Sequence, residues 1–310
     1  MSYGYDEQGY RPSEPHQGPN LRMLAGLVIA VISLIIYMTH TEVNPVTGRK
    51  QHIAMSVDQE KAMGLEAAPE MASKMGGEAD PGDPRAVEVT LIGRRIIERS
   101  DASRSPYVGN YHFILLNDTQ TVNAFALPGG QVFITRALYD KLADEAELAG
   151  VLGHEVGHVV NRHSAEHMAQ SQLGQRLTTA LGVGASGGDD RGQRALMVAA
   201  MVNQLTQLKF SRGDESEADT FGLKYMAQAG FDPTAMLEVM EILKNVSKGG
   251  GRQPEFLATH PLPETRLDEI RAALKQGYPD GIPSDLTRGR PLPGGSAGGG
   301  GGAGEGRYAP

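Results

Sequence analysis

Near the middle of the chain, VLGHEVGHVVNRH from Val151 to His163 sets three histidines and one glutamate in a run that is otherwise mostly apolar. His154 and His158 are four apart, so on a helix of about 3.6 residues per turn both imidazoles leave the same face. Glu155, between them, completes an HExxH pattern. Two neutral imidazoles one turn apart can hold one Zn2+, and the adjacent carboxylate can then reach water on the metal as a general base. The plain alternative is a buried helix that happens to carry histidines, and the choice between the two turns on a third ligand.

A catalytic zinc takes three protein ligands and keeps one open position. His163 lies nine residues after His154, about 180° round a straight helix, and so points away. A metzincin would place glycine at 161 and histidine at 164, where this chain has Asn161 and Ser164. His163 and His167 therefore read as surface or second-layer residues rather than ligands. Downstream, GDESEAD offers Glu215 and Asp219, again four apart and on one helical face. If Glu215 binds the metal, Asp219 can accept the remaining ring proton of a zinc histidine and fix its tautomer. The competing reading makes Asp214, Glu215, Glu217 and Asp219 a solvated acidic first turn that complements the helix dipole. Its place some sixty residues after an HExxH helix favours the ligand.

About two-fifths of the 310 residues are apolar, enough for one core of roughly 200 residues with appendages. The net charge of −8 is spread along the chain and leaves no basic stripe, so no nucleic-acid partner is expected. Cysteine is absent, which excludes disulfides, thiolate zinc sites and cysteine nucleophiles. Leu21–Met38 contains a single charge, Arg22, and is about as long as the shortest membrane-spanning helices. A secretory signal peptide is the rival reading. The run exceeds the usual apolar core of about 7–15 residues, and the following YMTHTEV has no small-x-small cleavage site, so an uncleaved anchor is expected. Arg11 and Arg22 balance Arg49 and Lys50, so flanking charge does not orient it.

These readings divide the chain into a disordered tail at 1–20, a transmembrane anchor at 21–39, a linker with a short helix at 40–84, a folded domain at 85–280 and a disordered glycine-rich tail at 281–310. The linker's helix runs from Ser56, a cap, to Met75, and PGDP at 81–84 breaks the chain. Val87, Leu91, Ile92, Ile96 and Ile97 recur at helical spacing. YHFILLND (111–118) and NAFALPGGQVFIT (123–135) read as strands, the second folded into a hairpin by Pro128-Gly129-Gly130. Helical pattern returns from Ala137 to about Gln170 and from Gln193 to Phe210, around a glycine loop at 182–188; the glycine-rich residues 182–192 are a candidate lid, with an ordinary surface loop as the alternative. Gly230 and Pro233 stop a further helix. The fold class is α+β, mainly helical, with a small antiparallel sheet.

HEVGH, SRGDESEAD and ATHPLPETRL, in that order, resemble the M48 zinc metallopeptidases, gluzincins with an HExxH…ExxxD pattern. The resemblance extends from about Ser56 to Ile270, and NAFALPGG is similar to the family's edge strand and hairpin. It implies a zincin-like domain holding one Zn2+ on His154, His158 and Glu215, with Glu155 as catalytic base and Asp219 orienting a ligand. His260 and Arg266 match a late HP…R motif implied to lie near the metal. His260 is the candidate oxyanion donor, and a reversible extra zinc ligand is the alternative; Arg266 is expected to order the loop or pair with an acid. An extended peptide could add as a strand beside Asn123, Ala124, Phe125 and Ala126.

The expectation for function is a membrane-anchored zinc endopeptidase that cleaves unfolded or misassembled proteins. The one apolar run makes it single-pass, the resemblance implies a bacterial envelope membrane, and NPVTGRKQ after the anchor, similar to the start of exported relatives, is the one support for a domain on the periplasmic side of the inner membrane. A second class is a chaperone-like binding module whose site is latched. A prenyl-protein-type peptidase enclosed in the membrane would need several hydrophobic spans, and one is visible. Alanine-rich segments near 176–202 pack either internally or on another copy, which leaves the oligomeric state open.

Overall fold

A computed structural model describes residues 21–39, 41–180, 199–248, 255–261 and 264–296. Its elements are α1 (Leu21–Thr39), β1 (Thr41–Val43), β2 (Lys50–His52), α2 (Val57–Lys74), α3 (Pro84–Arg99), β3 (His112–Leu116), β4 (Ala124–Leu127), β5 (Gln131–Thr135), α4 (Arg136–Tyr139), α5 (Glu145–Val160) and α6 (His163–Ala180). They continue with helical residues 199–206 (α7), α8 (Arg212–Gln228), α9 (Ala235–Lys248), α10 (Glu255–Thr259) and α11 (Glu264–Gly277). The architecture is α+β and mainly helical.

The helix starts follow local chemistry. Ser56 caps α2 in a capping box with Gln59, Asp83 caps α3 ahead of Pro84, and Asp144 caps α5 by accepting the Glu147 N–H. α5 is buried along all of its residues and is the axis of the molecule. One core packs α3, α8, α9 and α11 around it, with Val132 and Ile134 of the sheet. The opposite sheet face, Leu127 and Phe133, meets α2 through Ala67 and Met71 and α7 through Val202 and Leu205.

Glycines set the approach of α8 to α5. A Cβ at Gly157 would sit 2.9 Å from the Ala218 carbonyl oxygen, and one at Gly222 would sit 3.1 Å from the His154 nitrogen. The two backbones therefore touch, and the carboxylates of α8 are carried up to the imidazoles of α5. Gly157→Ala gains up to about 1 kcal/mol of helix propensity but must separate the helices, an overpacking cost of about 1–3 kcal/mol. Urea denaturation is expected to show net destabilisation; an unchanged or higher midpoint would contradict the close crossing.

The sheet order is β3-β5-β4. The expected hairpin forms, with β4 antiparallel to β5 in the register Ala124↔Ile134. The expectation of an antiparallel sheet is corrected by β3, which runs parallel to β5 in the register His112↔Gln131. QVFIT, buried at every position, takes the central place, so β4 crosses to the far edge before the hairpin returns the chain between them.

Residues 41–83 are packed structure rather than a linker. Glu60 of α2 is buried against Arg162 and accepts from the Tyr107 hydroxyl at 2.5 Å. The β1–β2 ribbon caps the end of α5, where the Asn44 amide donates to the Val160 carbonyl at 2.6 Å and the Gln51 amide to the Asn161 carbonyl. These non-local partners decide the packing. Likewise, the tail expected from 281 stays docked as far as the described residues run, to 296. The Arg290 and Arg288 carbonyls accept the Glu145 and Ala146 N–H groups at 3.0 Å, satisfying orphan donors at the start of α5, and Leu292 is buried. Residues 1–20, the candidate lid at 182–192 and 297–310 lie outside the described residues.

α1 coincides with the apolar run, and Leu27, Val28, Ile29 and Ile35 on it are exposed. Among the described residues no helix is long and apolar enough to cross a membrane.

Candidate metal centre

His154 and His158 project from one face of α5 with their Nε2 atoms 3.1 Å apart. Glu215, in the first turn of α8 behind the Ser211 cap, brings its carboxylate to 3.6 Å from His154 Nε2 and 3.4 Å from His158 Nε2. Asp219, one turn on, stands 3.0 Å from His154 Nδ1, the other ring nitrogen. His260, after α10, completes the group: its Nδ1 is 3.0 Å from Glu215 Oε1 and 3.4 Å from His154 Nε2. One donor atom from each of His154, His158, Glu215 and His260 lies within 4.8 Å of the others, and all four residues are buried.

Arg266 of α11 ties the carboxylates together. It is 1% exposed, reaches Glu215 Oε2 at 2.6 Å, and grips Asp219 through Nε and Nη2 at 2.8 and 2.7 Å. It also donates to the Pro261 carbonyl at 3.2 Å, which holds the loop carrying His260. Phe256 stacks on His260 and Phe210 on His158, with ring centroids 4.5 and 4.1 Å apart. Spacing gave no signal for either phenylalanine, since each comes from a separate segment.

Charge follows burial and neighbours. Burial opposes ionisation of Glu215, but the charge of His260 and hydrogen bonds from His158 and His260 outweigh it and hold the carboxyl well below its ordinary range. Burial likewise works against Asp219 and is overcome by Arg266 and His154. Burial holds the His158 imidazole well below its usual value, so it is neutral and its lone pair is free for a cation. Glu155 is pushed up by burial against the opposing pull of His260 and His154. Among the described residues both of its oxygens are buried without a hydrogen-bond partner, and His260 Nε2 is 3.8 Å away.

Three imidazoles and one carboxylate at this spacing are a zinc-type donor set, and an unpartnered carboxyl beside it is where a base would stand. The residues fit the metal. The fold thus brings together His154, Glu155, His158, Glu215, Asp219, His260 and Arg266. A pocket beside them is lined by Asn123, Phe125, Ala126, Phe210 and His260. Ala124 faces the core instead, and the strand edge is shortened at Val122, whose carbonyl accepts the Phe256 N–H at 3.3 Å.

His163 corrects the straight-helix expectation. α5 stops at Val160, Arg162 adopts a left-handed φ of 56°, and α6 restarts at His163. The turn swings His163 back, fully buried, with its Nδ1 2.9 Å from His158 Nδ1. His167 binds Asp214 at 2.8 Å.

The model of peptidase family M48 matches residues 84–274, more than half of the chain. The chain belongs to peptidase family M48. Membership places it among peptidases by class. It is 34% identical over 242 residues to the beta-barrel assembly-enhancing protease of Yersinia pestis, covering 76% of this chain and 48% of the relative. The protein of the same name in Escherichia coli K12 is 33% identical over 195 residues, 62% of this chain and 39% of the relative. The mitochondrial metalloendopeptidase OMA1 of Schizosaccharomyces pombe is 33% identical over 243 residues, 78% of this chain and 69% of the relative. The chain spans about half or less of the length of the bacterial relatives named here.

Proposed function

We propose that this M48 chain is a membrane-anchored zinc endopeptidase acting on unfolded or misassembled proteins, with one Zn2+ held by His154, His158 and Glu215. The observation that carries the reading is the convergence of these donors beside the unpartnered, buried carboxyl of Glu155. Bound by these residues, zinc would supply Lewis acidity toward a peptide carbonyl and water. Glu155 takes the proton from attacking water and returns it to the leaving amine. Asp219 orients His154 from its far nitrogen, and Arg266 holds Asp219 and Glu215 in register. A substrate strand lies along β4, its backbone bonding to the edge and an apolar side chain entering the pocket at Phe125 and Phe210. Backbone pairing reads little sequence, which suits unfolded chains.

The names of the relatives support a role in envelope or membrane protein quality control, and the exposed apolar side chains of α1 support attachment to a membrane, although among the described residues no helix is long and apolar enough to cross one. We place the domain on the periplasmic face of a bacterial inner membrane. The test is cleavage of unfolded casein by detergent-solubilised, zinc-loaded protein. Activity is expected, with loss on 1,10-phenanthroline and recovery on added zinc; no cleavage with one zinc bound per chain would count against a peptidase.

One observation favours a second reading. His260 completes a buried four-donor group, as in closed zinc sites, so the protein could hold clients without cutting them. His260→Ala separates the cases. If His260 latches the site, casein cleavage rises; if it steadies the oxyanion, kcat falls by about 10²–10³.

A further inference from the structure

We propose that His163 is the positioning residue for the zinc ligand His158, within a relay that ends on Glu217. The inference rests on the reading of His158 as a ligand. His158 directs Nε2 at His154 and Glu215, so to coordinate there it must carry its proton on Nδ1. That Nδ1 faces His163 Nδ1 at 2.9 Å. Two ring nitrogens at this distance can share only one hydrogen, so His163 Nδ1 must be the acceptor. The proton of neutral His163 is then on Nε2, which lies 3.1 Å from Glu217 Oε2. Glu217 accepts it and is itself faced by Arg49 Nη1 at 3.6 Å, while Asp214 Oδ1 stands 3.8 Å from the same ring nitrogen.

Every proton in this chain is assigned by the one before it. The opposite arrangement, with His163 donating from Nδ1, puts the His158 proton on Nε2 and closes that atom to a cation. His154 is oriented by the carboxylate of Asp219 directly; among the described residues His158 has no carboxylate at that nitrogen, and the buried imidazole of His163 transmits one. The left-handed turn at Arg162 places the relay.

The test is zinc affinity by chelator competition in the full chain, with melting of the zinc-free proteins as the fold control. His163→Leu fills the space and removes the acceptor, so zinc should bind about 10–100-fold more weakly. His163→Asn puts an amide oxygen near the Nδ1 position and should recover most of the loss. Glu217→Ala, at a half-buried site, should weaken zinc about 3–10-fold and keeps the test alive if His163→Leu does not fold. Long-range 1H–15N spectra of the zinc-loaded wild type should show His158 protonated on Nδ1 and His163 on Nε2. Wild-type zinc binding that His163→Leu matches, or an asparagine variant as weak as the leucine one, would overturn the role of His163 alone. A wild type that binds no zinc, with His158→Ala indistinguishable from it, would overturn the zinc reading beneath it.

Discussion

Glu155→Gln is expected to abolish casein cleavage, a fall of about 10²–10⁴ in kcat, while one zinc per chain stays bound. Glutamine keeps the shape of the side chain but cannot accept the proton, and Glu155 is outside the four-donor group. A second signature comes from burial. The raised pKa of Glu155 means that the folded, zinc-free chain holds this proton more tightly than the unfolded chain. Its contribution to stability is therefore full below the ordinary carboxylate range and is lost as pH rises through the folded value. Melting of the zinc-free wild type should fall relative to Glu155→Gln as pH is raised from about 4. Cleavage that survives in the glutamine variant would remove Glu155 from the mechanism.

Arg266→Met is expected to have the largest effect on stability. The guanidinium is buried between two carboxylates, 2.6 Å from Glu215 and 2.7 Å from Asp219. Removing it takes away the cation these two buried carboxylates share and leaves only imidazoles beside them, which costs about 3–5 kcal/mol. Zinc should recover part of this, because the metal's charge replaces the lost cation at Glu215. Lysine should not rescue, since one ammonium cannot span both carboxylates in Arg266's forked geometry. Denaturation with and without zinc checks both points; a loss below about 1 kcal/mol would show that the pair is not a structural tie.

What was legible in the sequence was what helical spacing alone determines. His154 with His158, and Glu215 with Asp219, share faces because each pair is one turn apart, and the fold lays those two faces against each other. The hairpin at Gly129-Gly130 was legible for the same local reason. What escaped depends on distant partners or on one unusual torsion. His163 was read off a straight helix, and the left-handed Arg162 turns it back onto His158. Residues 41–83 looked like a linker because Tyr107, Val160 and Asn161, which tie down Glu60, Asn44 and Gln51, lie more than forty positions away. The parallel pairing of β3 follows from which strand is buried on both faces, which alternation within β3 does not reveal.

If the cluster is one metal site, anomalous diffraction from crystals of the zinc-loaded protein, collected above and below the zinc absorption edge, should show a single peak within bonding distance of His154 Nε2, His158 Nε2 and a Glu215 oxygen, next to Glu155. A peak at another position, or none at full zinc occupancy in solution, would contradict a metal site there.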